Sequence, residues 1–286
     1  MKAEKALVIL LGRFEFDELI KTRIFHIIKN GIDWYDFLNY CIRTKMVCLV
    51  YKNMEMLGID RLLPNTIRYN MKYHYEQNTI RNEFLIASLG KITQELLEKD
   101  ISAVPIKGAK FISTIYKEDP GVRLLDDIDI LAEPSSKNMV YGFMKDSGFD
   151  SYLINNEDAF CVDEADEQCH FYISFPNVEL RNDIRIDFDY TYSASFIQKI
   201  KEGNYLYELC YLCRSYYTSM KKKGLSAALD RFDYVKLVDI YGYFKFYLGE
   251  MSTAELKNAA EELQFAEELG YVLNCLKQLS MQILTT

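Results

Sequence analysis

Two runs of this chain alternate acidic with apolar side chains, and that alternation limits the available folds more than any other feature. They are Leu124-Leu-Asp-Asp-Ile-Asp-Ile-Leu131 and Ile184-Arg-Ile-Asp-Phe-Asp-Tyr190. Successive side chains of a strand point to opposite faces. Read as strands, the runs put Asp127 with Asp129, and Asp187 with Asp189, on one face. Ile128, Ile130, Ile186 and Phe188 fall on the other, and Asp126 sits opposite its two acidic neighbours. Such a sheet buries one face and presents carboxylates on the other.

The sequence around these runs has a different texture. From Ile80 to Leu97, Phe84, Leu85, Leu89, Ile92 and Leu96 recur at steps of three and four, with Arg81, Glu83, Lys91 and Glu95 elsewhere on the turn. This is the period of a helix with one apolar face. Leu63-Pro64-Asn65 breaks the helices before it. At Ile101 the pattern changes to a short strand, Ile101–Ile106, which Lys107-Gly108 turns into a helical stretch over Ala109–Tyr116. Asp119-Pro-Gly121 reads as a turn, Leu124–Ala132 as a strand, and Pro134-Ser-Ser136 as a helix start. Further strands are predicted around Tyr152, at His170–Phe175 and at Glu179–Tyr192, with an acidic loop from Asn155 to Gln168. Helical spacing returns over Phe232–Tyr247 and Thr253–Leu284, with Ser252 as a cap. The expected layout is an α+β chain with three parts. These are an N-terminal helical region (1–98), an α/β core (99–194) and a C-terminal helical region (195–286).

Charge and cysteine usage narrow the partners. The net charge is -8, whereas proteins that grip a long nucleic acid gather Lys and Arg to release counterions. A long DNA or RNA partner is therefore disfavoured, and Lys221-Lys-Lys223 reads as a solvated loop. Ala6–Leu11 is too short an apolar run to span a bilayer, so no membrane helix or signal peptide is expected. The seven cysteines are scattered, which fits reduced thiols and a cytoplasmic protein. Cys210-x-x-Cys213 has no second half of a zinc motif and reads as helix packing.

The chemistry lies in the acids and in what precedes them. Unit charges about 5 Å apart repel by roughly 3 kcal/mol at an effective dielectric of about 20. Clustered carboxylates therefore take up protons or bind cations, and all-oxygen ligands suit Mg²⁺ or Mn²⁺. If the two acidic strands are neighbours, Asp187 completes a set with Asp127 and Asp129; it reads equally as a solvent-facing acid. Lys107-Gly108-Ala109, where a strand enters a helix, offers backbone N–H groups and a positive charge to an anion. Arg123 reads evenly as a nucleotide ligand or as a salt-bridge partner of an aspartate. Asp189 reads as structural or exposed, and His170 as a partly buried, satisfied histidine.

The run Ile106-Lys-Gly-Ala…Tyr116…Arg123-x3-Asp127-Ile-Asp129-Ile-Leu131 resembles the signature of an uncharacterised bacterial nucleotidyltransferase family. That family lies within the DNA polymerase β-like superfamily, and the likeness covers most of the chain. The resemblance implies a polymerase-β-like core, a small mixed sheet with helices, flanked by the N- and C-terminal helical regions. It implies a two-metal transfer from a nucleoside triphosphate such as ATP to a small-molecule or protein hydroxyl. By it, Asp127 and Asp129 bind both Mg²⁺ or Mn²⁺ ions and Asp187 the catalytic one, while Lys107, Gly108, Ala109 and Arg123 contact the nucleotide. Lys236-Leu-Val-Asp239-Ile is similar to an Asp-bearing helix of the same family. Gly108-Ala109 stands where the wider superfamily has Gly-Ser, which leaves a second reading of the same fold: a nucleotide-binding or interaction protein without turnover.

Overall fold

The computed structural model describes residues 1–152, 168–173, 184–221, 233–249 and 251–284. The acidic loop, with Asp163, Glu164, Asp166 and Glu167, lies outside them, as do Cys161, residues 174–183, Lys222 and Lys223. The chain is mixed α+β, and it divides into two compact units. A helical unit comprises Met1–Thr79, Gly121–Leu124 and Leu209–Thr286; a sheet unit comprises Ile80–Pro120 and Leu125–Glu208.

In the helical unit, α1 (Ala3–Leu11), α2 (Glu18–Lys29), α3 (Trp34–Arg43) and α4 (Val47–Met56) precede a long helix, α5 (Asn65–Glu98). Pro64 stands just ahead of α5, where its missing N–H costs nothing. Residues of α5 up to Thr79 belong to this unit and those from Ile80 to the sheet unit. The apolar run Ala6–Leu11 is buried on every side, and α1 packs against α2, α3 and α4. A helix apolar all round belongs in the middle of a core, and that is where these residues lie.

Gly121 shows why one position in this unit admits no side chain. A Cβ there would come 2.1 Å from Thr79 Oγ1 and 3.0 Å from Tyr75 Cε2. Thr79 is branched at Cβ, and its hydroxyl donates to the Tyr75 carbonyl at 2.9 Å, so it cannot simply turn away. Gly121→Ala is expected to cost about 2 kcal/mol, in the range of overpacking. Thermal unfolding checks this, and Thr79→Ala in the same chain should restore most of the loss.

The C-terminal helices differ from the sequence reading at one place. After α6–α8, given below, come α9 (Tyr205–Lys221) and α10 (Asp233–Tyr247). The single helix expected over Thr253–Leu284 is two, α11 (Thr253–Glu262) and α12 (Ala266–Leu284). Gln264 between them has φ 56, a left-handed conformation that ends a helix, and no Gly or Pro marks it in the sequence. Ser252 does cap α11: its hydroxyl accepts from the Glu255 N–H, while the Glu255 carboxylate accepts from the Ser252 N–H. Cys210 and Cys213 are buried on α9, and the six described cysteines are free thiols.

Among the described residues of the sheet unit, five strands lie in the order β1-β2-β5-β4-β3. They are β1 (Ala103–Pro105), β2 (Ile128–Ala132), β3 (Asp150–Tyr152), β4 (Gln168–Ile173) and β5 (Ile184–Asp189). Only β2 and β5 are parallel; the other neighbours are antiparallel. Helices α6 (Lys107–Phe111), α7 (Lys137–Asp146) and α8 (Ala194–Lys201) complete it.

The alternation in β5 appears directly as burial: Ile184, Ile186 and Phe188 are buried, while Arg185, Asp187 and Asp189 are partly exposed. Ile128 and Ile130 of β2, Cys169 and Phe171 of β4, and the three β5 residues form one core with α5 and α7. From α5 it takes Leu85, Leu89, Ile92 and Leu96. Phe84, expected on that face, is exposed, because four neighbouring positions already fill the arc that meets the sheet.

Candidate active site

The strand register sets the site. Ile128, Ile186 and Phe171 are cross-strand partners, as are Ile130, Phe188 and Cys169; both rows belong to the core. The row between them runs Asp129–Asp187–His170. Opposite residues on neighbouring strands share a face and lie close together. An acid from β2 and an acid from β5 therefore stand side by side on the face away from the core, with an imidazole next in line.

Each of these groups has a contact. Lys107 Nζ lies 2.7 Å from Asp129 Oδ1. Lys107 follows β1, whose chain stays tied to β2 through the Ile106 N–H, which donates to the Asp129 carbonyl at 3.0 Å. Lys107 also has φ 52. An L-residue pays roughly 1–2 kcal/mol for that conformation, and such strain persists where surrounding structure holds a functional group in place. Here it lets the chain leave β1 sharply while the ammonium returns to Asp129. Gly108 and Ala109 follow, both buried.

On the other side of the row, His170 Nδ1 is 2.8 Å from Asp187 Oδ1. The separation is that of an ion pair, but neither atom is aligned for a hydrogen bond. Asp187 Oδ1 is closed to solvent. The 18% exposure of the Asp187 side chain thus lies on its other atoms. Asp189 is engaged elsewhere, accepting from the Thr191 N–H at 2.9 Å.

Asp127 precedes the first residue of β2: the strand expected from Leu124 begins four residues later, at Ile128. Its approach is held by α5. Arg81 donates to the Leu125 carbonyl, and to the Asp126 carbonyl at 3.2 Å. Asn82 Nδ2 donates to the Pro120 carbonyl at 2.6 Å. In the sequence Arg81 falls on the polar side of a helix and Asn82 carries no signal; both satisfy the backbone of the segment that delivers Asp127.

The helix expected over Ala109–Tyr116 is shorter. Helix α6 ends at Phe111 and turns follow it, so its dipole is small. In the same helix, Lys110 Nζ pairs with Glu208 Oε2 at 2.6 Å.

Arg123 belongs to the helical unit. Its Nε lies 3.0 Å from both carboxylate oxygens of Asp239, and its second terminal nitrogen 2.7 Å from Oδ2. Both residues are buried. Of the two even readings of Arg123, the ion pair is the one present.

As a cation site the row fits in part. Two carboxylates are adjacent, and one has a solvent-closed oxygen without a hydrogen bond. Among the described residues, no group of three or more His, Cys, Asp or Glu side chains converges to hold an ion. Magnesium sites in nucleotide enzymes commonly use only one or two carboxylates and take their other ligands from substrate phosphates and water. Asp129 and Asp187 suit that kind of site.

A family model described as an uncharacterised nucleotidyltransferase matches residues 30–280. The chain belongs to that family. This nucleotidyltransferase accordingly has the α+β fold with a small mixed sheet and helical flanks expected of it. Its activity is nucleotidyl transfer, for which the substrate is a nucleoside triphosphate and a divalent metal ion is the general requirement. No curated protein and no solved structure matches it. Among the described residues, no helix is long and apolar enough to cross a membrane.

Proposed function

We propose that the nucleotidyltransferase moves a nucleotidyl group from a nucleoside triphosphate, ATP among them, to a hydroxyl of a small molecule or protein side chain. Asp127, Asp129 and Asp187 hold Mg²⁺ or Mn²⁺ in a two-metal arrangement. The observation that carries this reading is the parallel register that sets Asp129 beside Asp187. A metal held there would supply charge neutralisation on the phosphates and polarisation of the reacting phosphoryl group. The protein's part is positioning. Asp127 and Asp129 come from one chain segment, its carbonyls fixed by Arg81 and its strand by β5. Lys107, Gly108 and Ala109 face the triphosphate, and Lys107, held on Asp129, keeps a cation at the row. Arg123, the remaining nucleotide-contact candidate, acts through its pair with Asp239. Free thiols and the acidic charge suit a cytoplasmic enzyme.

Calorimetric titration with a non-hydrolysable nucleoside triphosphate, with and without Mg²⁺ or Mn²⁺, tests the reading, together with pyrophosphate release from each natural triphosphate. Binding that ignores the metal in the wild-type chain would remove it. Pyrophosphate release distinguishes turnover from a fold that only binds nucleotide.

His170 enters this site through its contact with Asp187. Groups that seat a metal-binding carboxylate are worth about ten- to a hundredfold in metal affinity. His170→Phe keeps the buried volume and should weaken Mn²⁺ binding by that factor in an electron paramagnetic resonance titration. An unchanged affinity would reduce His170 to packing.

A further inference from the structure

The helical unit contains a cavity of about 330 Å³ that the transferase site does not use. Its walls include Ile9 of α1, Leu237, Val238 and Phe244 of α10, and Leu273 and Leu276 of α12. Polar groups reach it at few points. Arg13 comes from the turn after α1, Tyr234 and Tyr241 from α10 and Lys277 from α12, and no carboxylate is among the described lining residues. In a chain of net charge -8, an apolar cavity lined by two cations and no acid selects for an anion.

Arg13 is built in rather than incidental. Asn53 Nδ2 donates to the carbonyls of Leu11 at 2.6 Å and Arg13 at 3.0 Å, so the turn that carries the guanidinium is fixed from α4. Gly12 lets this turn run close to its neighbours: a Cβ there would come 2.6 Å from Met46 Cε and 3.1 Å from the Tyr234 hydroxyl. Arg13 Nε is closed to solvent and has no hydrogen-bond partner among the described residues. A buried donor left unsatisfied is costly, and a carboxylate fits the guanidinium fork with two parallel bonds. The Tyr234 hydroxyl donates to the Ile9 carbonyl at 3.3 Å, which leaves its oxygen to accept. Lys277 is exposed and adds its charge at the solvent side.

Cavities of this size, mostly apolar with a few placed polar groups, are the usual form of a small-molecule site. We infer that this cavity binds a small carboxylic acid with an apolar body, its carboxylate taken by Arg13 and its hydrocarbon part by the α1, α10 and α12 walls. The site lies within the helical unit and needs neither nucleotide nor metal, so its test is independent of the transferase reading.

Titration calorimetry of the full chain with decanoate, decanol and decylamine is the test, below the concentrations at which these amphiphiles aggregate. Decanoate should bind saturably at one site per chain. Decanol should bind at least about tenfold more weakly, the value of a charge-assisted bond, and decylamine should not bind. Arg13→Met should remove that difference by weakening decanoate alone, and Leu273→Trp, which fills the cavity, should abolish binding of both. Circular dichroism melting checks that each variant is folded. Should Arg13→Met not fold, Lys277→Met with Leu273→Trp gives the same comparison of charge and volume. Absence of saturable decanoate binding, equal affinity for decanol, preference for decylamine, or binding that survives Leu273→Trp would each overturn the inference.

Discussion

Asp129→Asn is expected to lower pyrophosphate release by about a thousandfold while the protein stays folded. The substitution is nearly isosteric and removes one charge from the centre of the Lys107–Asp129–Asp187–His170 row. A metal-held phosphoryl group gains several kcal/mol of charge stabilisation in transfer. Losing about 4 kcal/mol of it corresponds to roughly a thousandfold in rate. The structural loss is smaller. The Lys107 pair is partly exposed on both sides, and ion pairs of that kind contribute about 1 kcal/mol or less. Activity and stability should therefore separate: a large drop in turnover with a small change in thermal midpoint. The metal-dependent increment in nucleotide affinity should vanish with it. Asp189→Asn is the matched control. Asp189 lies two residues further along β5, but its carboxylate is bonded at the strand end to Thr191, and its loss should cost less than about tenfold. Equal effects of the two substitutions would mean that the row is not the metal site.

These residues differ in how far the sequence announced them. That Asp129 and Asp187 lie on the face away from the core was legible, because acid–apolar alternation is a property of a strand on its own. Their being neighbours was not: parallel pairing of β2 with β5 joins segments separated by α7, β3 and β4, and no local pattern specifies it. His170 reads as a satisfied, partly buried histidine because one histidine carries no period; only its register opposite Asp187 gives it a place. Arg81 and Asn82 were hidden differently. On a helix they occupy the polar side of an amphipathic pattern, and a polar side that serves a neighbouring backbone looks the same in sequence as one that serves water. The shortness of α6 and the break at Gln264 were both hidden. Neither is marked by a Gly or Pro: α6 stops at Phe111 in mid-pattern, and Gln264 takes a left-handed conformation that its residue type does not signal. The core was the most legible part, since burial follows alternation, although even there Phe84 shows that an apolar stripe wider than its partner surface leaves a residue outside.

Arg123→Met should destabilise the protein by about 3–5 kcal/mol, the cost of leaving a buried charge without its partner. Asp239 is 3% exposed and Arg123 8%, and the three nitrogen–oxygen contacts of 2.7–3.0 Å between them leave little room for water. In addition, Asn78 Nδ2 donates to the Arg123 carbonyl at 3.1 Å and to that of Gly121 at 2.7 Å, so the backbone that carries the guanidinium is itself pinned. Relaxation cannot bring Asp239 to solvent cheaply. For a chain of this size the loss amounts to a fall in thermal midpoint on the order of ten degrees. The double variant Arg123→Met with Asp239→Leu should recover most of it, because replacing both members of a buried pair with apolar groups is often neutral. A coupling of several kcal/mol in that cycle would measure the pair directly. The same double variant settles the role of Arg123 toward nucleotide. If the arginine works only through Asp239, the refolded double variant keeps metal-dependent nucleotide affinity within about threefold, a difference of less than 1 kcal/mol. If it touches the triphosphate, stability returns but affinity does not, since no apolar side chain replaces a guanidinium against a phosphate. The buried geometry favours the first outcome: a guanidinium bonded on two nitrogens to one carboxylate would have to give up those contacts before it could meet a ligand.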